Sequence, residues 1–325
     1  MVLITGAGGF LGTHLTGALV KRKEPVRCLA RKPADRAKLE RFGAETVLGD
    51  VLDRKSLERA MAGVWAVCHL VHGIEGDDRR KGITLEMIDQ LGAANVLDAC
   101  RANGTRRVLY VSILGASPAA RSRLLASRWR TEELIRGSGL DFTILRTGFV
   151  IGRGSRGFEG HLSLVQKCPV VPLPGNGKVL HQPIALSDLL SYLIGCLDDP
   201  RTCGKTFDAG GPDRLSYVAL VGQVAQALGR RRLTVNLPWG VVRPLLSLGS
   251  ALGLRRAGVL HEMIASMQVD MVCGDMEIGA LMPGPSKGFR ESLAEYLAAD
   301  PSRGEPHENR EDYRHRVLPS RGAHS

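Results

Sequence analysis

The chain has 325 residues, 44 % of them hydrophobic and 24 % charged, which excludes a disordered, collagen-like or coiled-coil protein and allows one large α/β domain or two that share a core. Its seven cysteines stand singly, with no Cys-x-x-Cys pair; that argues against a disulfide framework or a cysteine zinc site and points to a reducing compartment. The net charge of +11 is concentrated in two acid-free stretches, seven arginines from Arg101 to Arg130 and six from Arg230 to Arg256, basic patches suited to the phosphates of a cofactor, an acidic substrate, nucleic acid or an anionic membrane.

Over roughly the first 150 residues, short apolar or β-branched runs alternate with stretches of helical spacing, the pattern of repeated βαβ units on a parallel sheet. Val2 to Thr5 reads as the first strand. Leu11, Leu15 and Leu19 then fall on one helical stripe and predict a helix from Phe10 to Arg22. Val26 to Ala30 is the second strand, Asp35 to Phe42 a helix and Glu45 to Leu48 the third strand. Val64 to Val71 is the fourth, Leu85 to Asn103 a long helix and Arg107 to Ile113 the fifth. A helix from Thr131 to Ser138, with Gly139 as C-cap, precedes a sixth strand at Phe142 to Leu145.

Beyond Gly152 the alternation gives way to glycine- and proline-rich loops (Arg153 to Gly160, Val171 to Lys178) with helices at Leu186 to Leu197 and Tyr217 to Leu228. The expected organisation is a dinucleotide-type domain over 1–152, a smaller lobe over 153–300 with segments returning to the main sheet, and a polar tail over 301–325 predicted to be disordered. No run of 18 apolar residues occurs; the nearest, Leu233 to Leu254, is broken by Pro238, Arg243 and Pro244. Neither a basic n-region nor a cleavable apolar segment is read at the start, so the expected location is cytoplasmic.

Thr5-Gly-Ala-Gly-Gly-Phe-Leu-Gly12 lies between the first strand and the first helix, the setting in which such a run carries meaning. Gly6 permits the tight turn, Gly9 lets backbone approach a pyrophosphate, Gly12 lets the helix pack on the sheet, and the helix N-terminus faces the anion. A site built for NAD places an acid at the end of the second strand; here that stretch reads Leu29-Ala30-Arg31-Lys32. Two cations suit a 2′-phosphate, so NADP(H) is favoured over NAD(H); the alternative is that Arg31 and Lys32 are a solvated loop, with Asp35 as the cap of the following helix. Phe10 and Leu11 in the turn and Thr147 after the sixth strand complete the expected cofactor contacts.

With these residues in view the chain resembles the atypical and extended short-chain dehydrogenase/reductase superfamily, particularly its NmrA-like and complex I 39-kDa-subunit-like NAD(P)-binding members. The resemblance spans about residues 1 to 300. It rests on the glycine turn, Gly49-Asp-Val-Leu-Asp53, Tyr110-Val-Ser-Ile-Leu-Gly-Ala116, Ser138-Gly-Leu-Asp-Phe-Thr-Ile-Leu-Arg146, Pro174-Gly-Asn-Gly177, Ala185-Leu-Ser-Asp188 and Gly210-Gly-Pro212. It implies a Rossmann-type doubly wound parallel sheet with a small C-terminal substrate lobe. It also implies that Asp50 and Val51 cradle the adenine and that Leu70, Val71, His72 and Ser112 line the cofactor.

The family's catalysis uses Ser, Tyr and Lys, and this sequence departs from that set. Leu124 and Arg128 stand where the tyrosine and lysine belong, Ile113 where the serine belongs, and no tyrosine has a lysine four residues on. Arg128 keeps a charge for a ribose or phosphate but is no ordinary proton donor at neutral pH. The candidate catalytic groups are therefore His72, which titrates near neutrality, Ser112 and Arg128. His69 falls inside the fourth strand and reads as structural, while His161 and His181 fall on substrate-lobe loops within reach of a ligand.

The expected function is an NADP(H)-dependent atypical oxidoreductase or isomerase for a small, fairly apolar metabolite, or else a non-catalytic NADP(H)-binding redox sensor or accessory subunit. The arginine-flanked apolar run over 230–256 reads first as a core helix of the smaller lobe flanked by arginines, with peripheral contact with an anionic membrane as the alternative. Nucleic acid is not expected as a partner, because the basic runs lack an aromatic stacking platform. No metal site is expected either, since His69 and His72 at i, i+3 on a strand face opposite sides.

Overall fold

In the computed structural model, which describes residues 1–73, 82–242, 244, 268–284 and 286–299, seven parallel strands form one sheet. They are β1 (Val2–Thr5), β2 (Val26–Ala30), β3 (Glu45–Leu48), β4 (Ala66–His69), β5 (Arg107–Ile113), β6 (Asp141–Thr147) and β11 (Lys205–Ala209), in the order β3-β2-β1-β4-β5-β6-β11. The order reverses at β1, where the chain crosses from one half of the sheet to the other, so the crevice for a ligand opens at the carboxyl ends of β1 and β4.

Side chains alternate across this sheet as strand geometry requires. On one face Ile4, Cys28, Leu145 and Phe207 pack under α1 (Phe10–Lys21) and α7 (Leu186–Asp198), meeting Leu15, Leu19, Leu189 and Leu193. On the other, Leu3, Val67, Val108, Tyr110 and Ile144 meet Leu57 and Met61 of α3 (Arg54–Met61), Val96 and Leu97 of α4 (Gly92–Ala102) and Ile135 of α5 (Arg123–Arg136). Each such aliphatic side chain stabilises the fold by about 1.5–3 kcal/mol. The remaining helix of this half, α2 (Pro33–Glu40), lies between β2 and β3.

A second body of short pairs builds the C-terminal lobe. β7 (Val150–Ile151) pairs with β10 (Ile184–Ala185), β8 (Val170–Pro174) with β13 (Leu233–Leu237), and β9 (Leu180–His181) with β12 (Leu215–Ser216). Its core joins Phe158 and Val165 of α6 (Arg156–Lys167), Leu220 and Val224 of α8 (Tyr217–Ala227) and Leu293 of α10 (Phe289–Ala298); a short α9 (Glu277–Leu281) precedes the last helix.

Several boundaries differ from the sequence expectation for physical reasons. α5 starts at Arg123 rather than Thr131, because Ser122 caps it and the arginine-rich first turns carry no apolar period. α3 has too little apolar content to stand out and is set by Asp53, whose carboxylate accepts the Lys55 N–H at 3.1 Å. The expected long helix is broken by a π-helical turn, Met87–Leu91, before α4. The loops expected at Arg153 to Gly160 and Val171 to Lys178 hold the start of α6 and the strand β8; β8 tolerates Pro172 and Pro174 while pairing with β13 on one side. Among the described residues no helix is long and apolar enough to cross a membrane. The tail over 301–325, and residues 243 and 245–256 of the basic apolar run, lie outside the described residues.

Candidate functional site

Backbone meets backbone at the glycine turn. Gly6 has φ +74°, and a Cβ there would lie 2.8 Å from the carbonyl of Leu70 and 2.9 Å from the Val71 nitrogen. At Gly12 a Cβ would lie 2.3 Å from the Gly6 oxygen. The β1 turn, α1 and the exit of β4 are thus held at a spacing that admits only glycine. Gly9 is the N-cap of α1 and supplies no capping side chain, so the first N–H groups, at Phe10 and Leu11, are presented to an anion with the positive end of the helix dipole behind them. This cradle fits a dinucleotide pyrophosphate.

Arg31 and Lys32 follow β2 as exposed cations beside this turn. The N-cap of α2 is Lys32 and not Asp35; the Asp35 carboxyl packs against Gly8, where a Cβ would meet its Cγ at 2.6 Å. Lys38 on the same helix donates to Thr13 Oγ1 at 3.2 Å, which ties α2 to α1. After β3, the Asp50 carboxylate accepts the Leu52 N–H at 3.0 Å, and the buried Val51 is fixed by Asn95, whose amide donates to its carbonyl at 3.0 Å. Leu70 and Val71 leave β4 directly over Gly6, and Thr147 closes β6 with a buried hydroxyl that has no hydrogen-bond partner among the described residues. The strand ends therefore bring Gly6, Gly9, Gly12, Arg31, Asp50, Leu70, Val71 and Thr147 to one edge of the sheet.

The three candidate catalytic groups are placed differently. Ser112 is 3 % exposed and donates its hydroxyl to Glu132 at 2.6 Å. Glu132 also binds Arg146 and Arg136, each at 2.6 Å, so Ser112 belongs to a buried network under α5 and its hydroxyl is already committed there. Arg128 is likewise engaged: its guanidinium meets Asp89 Oδ1 at 2.5 Å and reaches the Gly73 carbonyl at 3.5 Å. Asp89, on the π-turn, also accepts from the Gly73 N–H and from Ser127 Oγ, both at 2.8 Å. Arg128 thus pins the chain that leaves β4, rather than standing open to a ribose. His72 remains exposed, its ring edge-on to Tyr110 with centroids 6.1 Å apart. Desolvation of the ring, then the Arg128 charge, push its pKa well below the usual histidine range.

Behind His72 lies a row the sequence reading did not assemble. Thr5, His69 and Tyr110 are in register across β1, β4 and β5; Thr5 Oγ1 meets His69 Nδ1 at 2.7 Å, and His69 stacks on Tyr110 at 5.8 Å. Burial, then the Arg128 charge, lowers the His69 pKa to about 4. Burial pushes the Tyr110 phenol up to about 12, so it stays protonated at neutral pH. Asp89 and Glu132 were also missed, yet a signal existed: each is an acid on an otherwise buried helical stripe, Asp89 with Leu85, Ala93 and Val96, and Glu132 with Leu125 and Ile135. Among the described residues no group of three His, Cys, Asp or Glu side chains could hold a metal ion.

Residues 6–161 match the family model described as NAD(P)H-binding. The chain is 32 % identical over 250 residues to a ceramide reductase of Caulobacter vibrioides, covering 73 % of this chain and 74 % of that one. It is 29 % identical over 250 residues to NADH dehydrogenase [ubiquinone] 1 alpha subcomplex subunit 9 of Arabidopsis thaliana, covering 74 % of this chain and 61 % of that mitochondrial protein. Another relative, sterol demethylase protein B of Methylococcus capsulatus, is matched over only 34 % of its length, at 35 % identity and with 35 % of this chain covered. Among solved structures, an NADPH-dependent quinone oxidoreductase of Escherichia coli complexed with NADPH superposes with a TM-score of 0.72 at 20 % identity, over 91 % of this chain and all of that one.

Proposed function

We propose that this chain, which belongs to the NAD(P)H-binding atypical short-chain dehydrogenase/reductase superfamily, is an NADP(H)-dependent oxidoreductase or isomerase acting on a small, fairly apolar metabolite without the usual Ser-Tyr-Lys set. The observation that carries the reading is the all-backbone cradle of Gly6, Gly9 and Gly12 at the switch point of the sheet, with Arg31 and Lys32 at the neighbouring strand end. Bound there, the cofactor supplies a hydride. Phe10 and Leu11 would offer N–H groups to its pyrophosphate, Arg31 and Lys32 would take the 2′-phosphate, Asp50 and Val51 would hold the adenine, and Leu70, Val71 and Thr147 would line the nicotinamide side.

In this reading Arg128 acts through the Asp89 clamp on the β4 exit, and His72 at that exit is the candidate polar partner of the substrate. The ceramide reductase relative supports an apolar substrate. The test is calorimetric titration with NADPH and NADH, repeated on Arg31→Ala, followed by a carbonyl and quinone screen read by nicotinamide absorbance. NADPH binding weakened in the variant, with turnover of an apolar carbonyl compound, is expected; no binding of either dinucleotide refutes the reading.

A non-catalytic NADP(H)-binding subunit or sensor is the second reading, favoured by the engagement of both Ser112 and Arg128 in buried networks. It predicts tight cofactor binding with no turnover across the same screen. Peripheral contact with an anionic membrane through 230–256 is supported by the exposed Leu233 and Val235 of β13 beside Arg230, Arg231 and Arg232; co-sedimentation with anionic liposomes at low and high salt tests it, and no binding at either removes it.

A further inference from the structure

Four rings from four separate elements close on one another in the C-terminal lobe. Phe149, in the link between β6 and β7, stands 4.6 Å from His161 of α6 and 4.9 Å from His181 of β9, centroid to centroid. Tyr217, the first residue of α8, lies 5.4 Å from His161 and 6.0 Å from His181. His161, His181 and Tyr217 are 6 %, 1 % and 2 % exposed. One hydrogen bond joins them, between the Tyr217 hydroxyl and His161 Nδ1 at 3.1 Å. His161 Nε2 and both ring nitrogens of His181 are buried with no hydrogen-bond partner among the described residues.

Buried polar atoms are satisfied almost without exception, since an unmet donor or acceptor loses its water and gains nothing. Three ring nitrogens in one aromatic box with no partner among the described residues therefore leave three positions that a ligand's polar group can satisfy. Whichever tautomer His161 adopts, the Tyr217 hydroxyl engages Nδ1, so Nε2 keeps one donor or acceptor to offer.

The box adjoins the cofactor site. Phe149 follows Thr147 and Gly148, the end of β6, and Gly148 is so close to the strand bearing His181 that a Cβ there would lie 2.9 Å from the Gln182 carbonyl oxygen. Gln182 is itself fixed, donating to the Gly211 carbonyl at 2.7 Å and accepting from the Cys273 N–H at 2.9 Å. Phe149 is only half-buried, so its side of the box is the side of approach.

We propose that His161, His181 and Tyr217 form the polar wall of the substrate pocket and take an uncharged oxygen of an apolar carbonyl or quinone compound, with Phe149 stacking on its carbon skeleton. The inference rests on the oxidoreductase reading and narrows its substrate. Burial holds both histidine pKa values near about 4, so the wall is neutral at physiological pH and offers hydrogen bonds without charge. The charge acting on His181 is that of Asp270, whose carboxylate accepts the Leu180 N–H at 2.8 Å, and its sign opposes an anion. A phosphorylated or carboxylated group would lose its hydration here without a counter-ion.

The test observes the histidine ring nitrogens directly, by NMR of protein labelled with ¹⁵N-histidine and saturated with NADP⁺. Menadione, an uncharged quinone, is titrated in one arm and UDP-glucose, a charged nucleotide-sugar, in the other. Menadione is expected to shift the His161 and His181 ring resonances and UDP-glucose to leave them in place. His161→Gln and Tyr217→Phe are expected to weaken menadione binding about tenfold, the effect of losing a buried hydrogen-bond partner, with NADPH affinity unchanged. Ring resonances of the wild-type protein that do not respond to menadione, or that respond to UDP-glucose, overturn the proposal. Loss of the oxidoreductase reading would show separately, as failure of the wild-type protein to bind NADPH.

Discussion

The Arg128 guanidinium and the Asp89 carboxylate meet at 2.5 Å in the interior, with the Asp89 side chain wholly shielded and that of Arg128 6 % exposed. Such a pair is costly to break from one side, because the partner left behind is a buried charge without compensation. Asp89→Asn is expected to lower stability by about 3–5 kcal/mol, measured by urea unfolding. The double variant Asp89→Leu with Arg128→Met is expected to be less damaging than Asp89→Asn alone, since neither charge is then stranded.

Gly12→Ala is expected to abolish dinucleotide binding while leaving the far-ultraviolet circular dichroism unchanged. The added Cβ would lie 2.3 Å from the Gly6 oxygen, so the turn must open and the first N–H groups of α1 lose their aim. Calorimetry with NADPH reads the effect, and retained affinity would mean that the cradle is not the cofactor site.

Arg31→Ala is expected to reduce NADPH affinity about tenfold, the size of one charge-assisted hydrogen bond to phosphate, with little change for NADH. Raising the salt concentration should weaken NADPH binding to the wild-type protein more than to the variant, because both Arg31 and Lys32 are exposed. Equal losses for both cofactors would show that Arg31 does not read the 2′-phosphate.

Stability should fall on acidification through the histidine range. His69, His161 and His181 are each held near about 4 by burial, against an ordinary value of 6.5. Above the ordinary value both folded and unfolded chains keep them neutral, and no stability is lost. Between the two values the unfolded chain binds protons that the folded chain excludes, and each histidine then costs up to about 1.4 kcal/mol per pH unit. Urea unfolding at neutral and at mildly acidic pH should show the decline, and His69→Asn should make it shallower.

Ser112→Ala is expected to lower stability by about 1–2 kcal/mol through loss of the bond to Glu132 while preserving NADPH affinity. A variant that melts normally but loses turnover would restore Ser112 as a catalytic group and require the Glu132 network to open during the reaction.

The sequence by itself determined the parallel sheet and the glycine turn, because both are local: a period of two or of 3.6 residues, and a turn in which a side chain does not fit, can be read without knowing what lies opposite. Strands such as Val2–Thr5 and Arg107–Ile113 and the helix at Leu186 were legible for that reason. Tertiary structure decided what each polar residue near the turn is paired with. Ser112 and Arg128 sit at the right places in the chain, but their partners Glu132 and Asp89 lie 20 and 39 residues away and only packing brings them together. The same holds for His161, His181 and Tyr217, which come from a helix, a short strand and another helix; hydrogen bonding and desolvation depend on neighbours in space, and those are fixed only when the sheet and the lobe are folded around them.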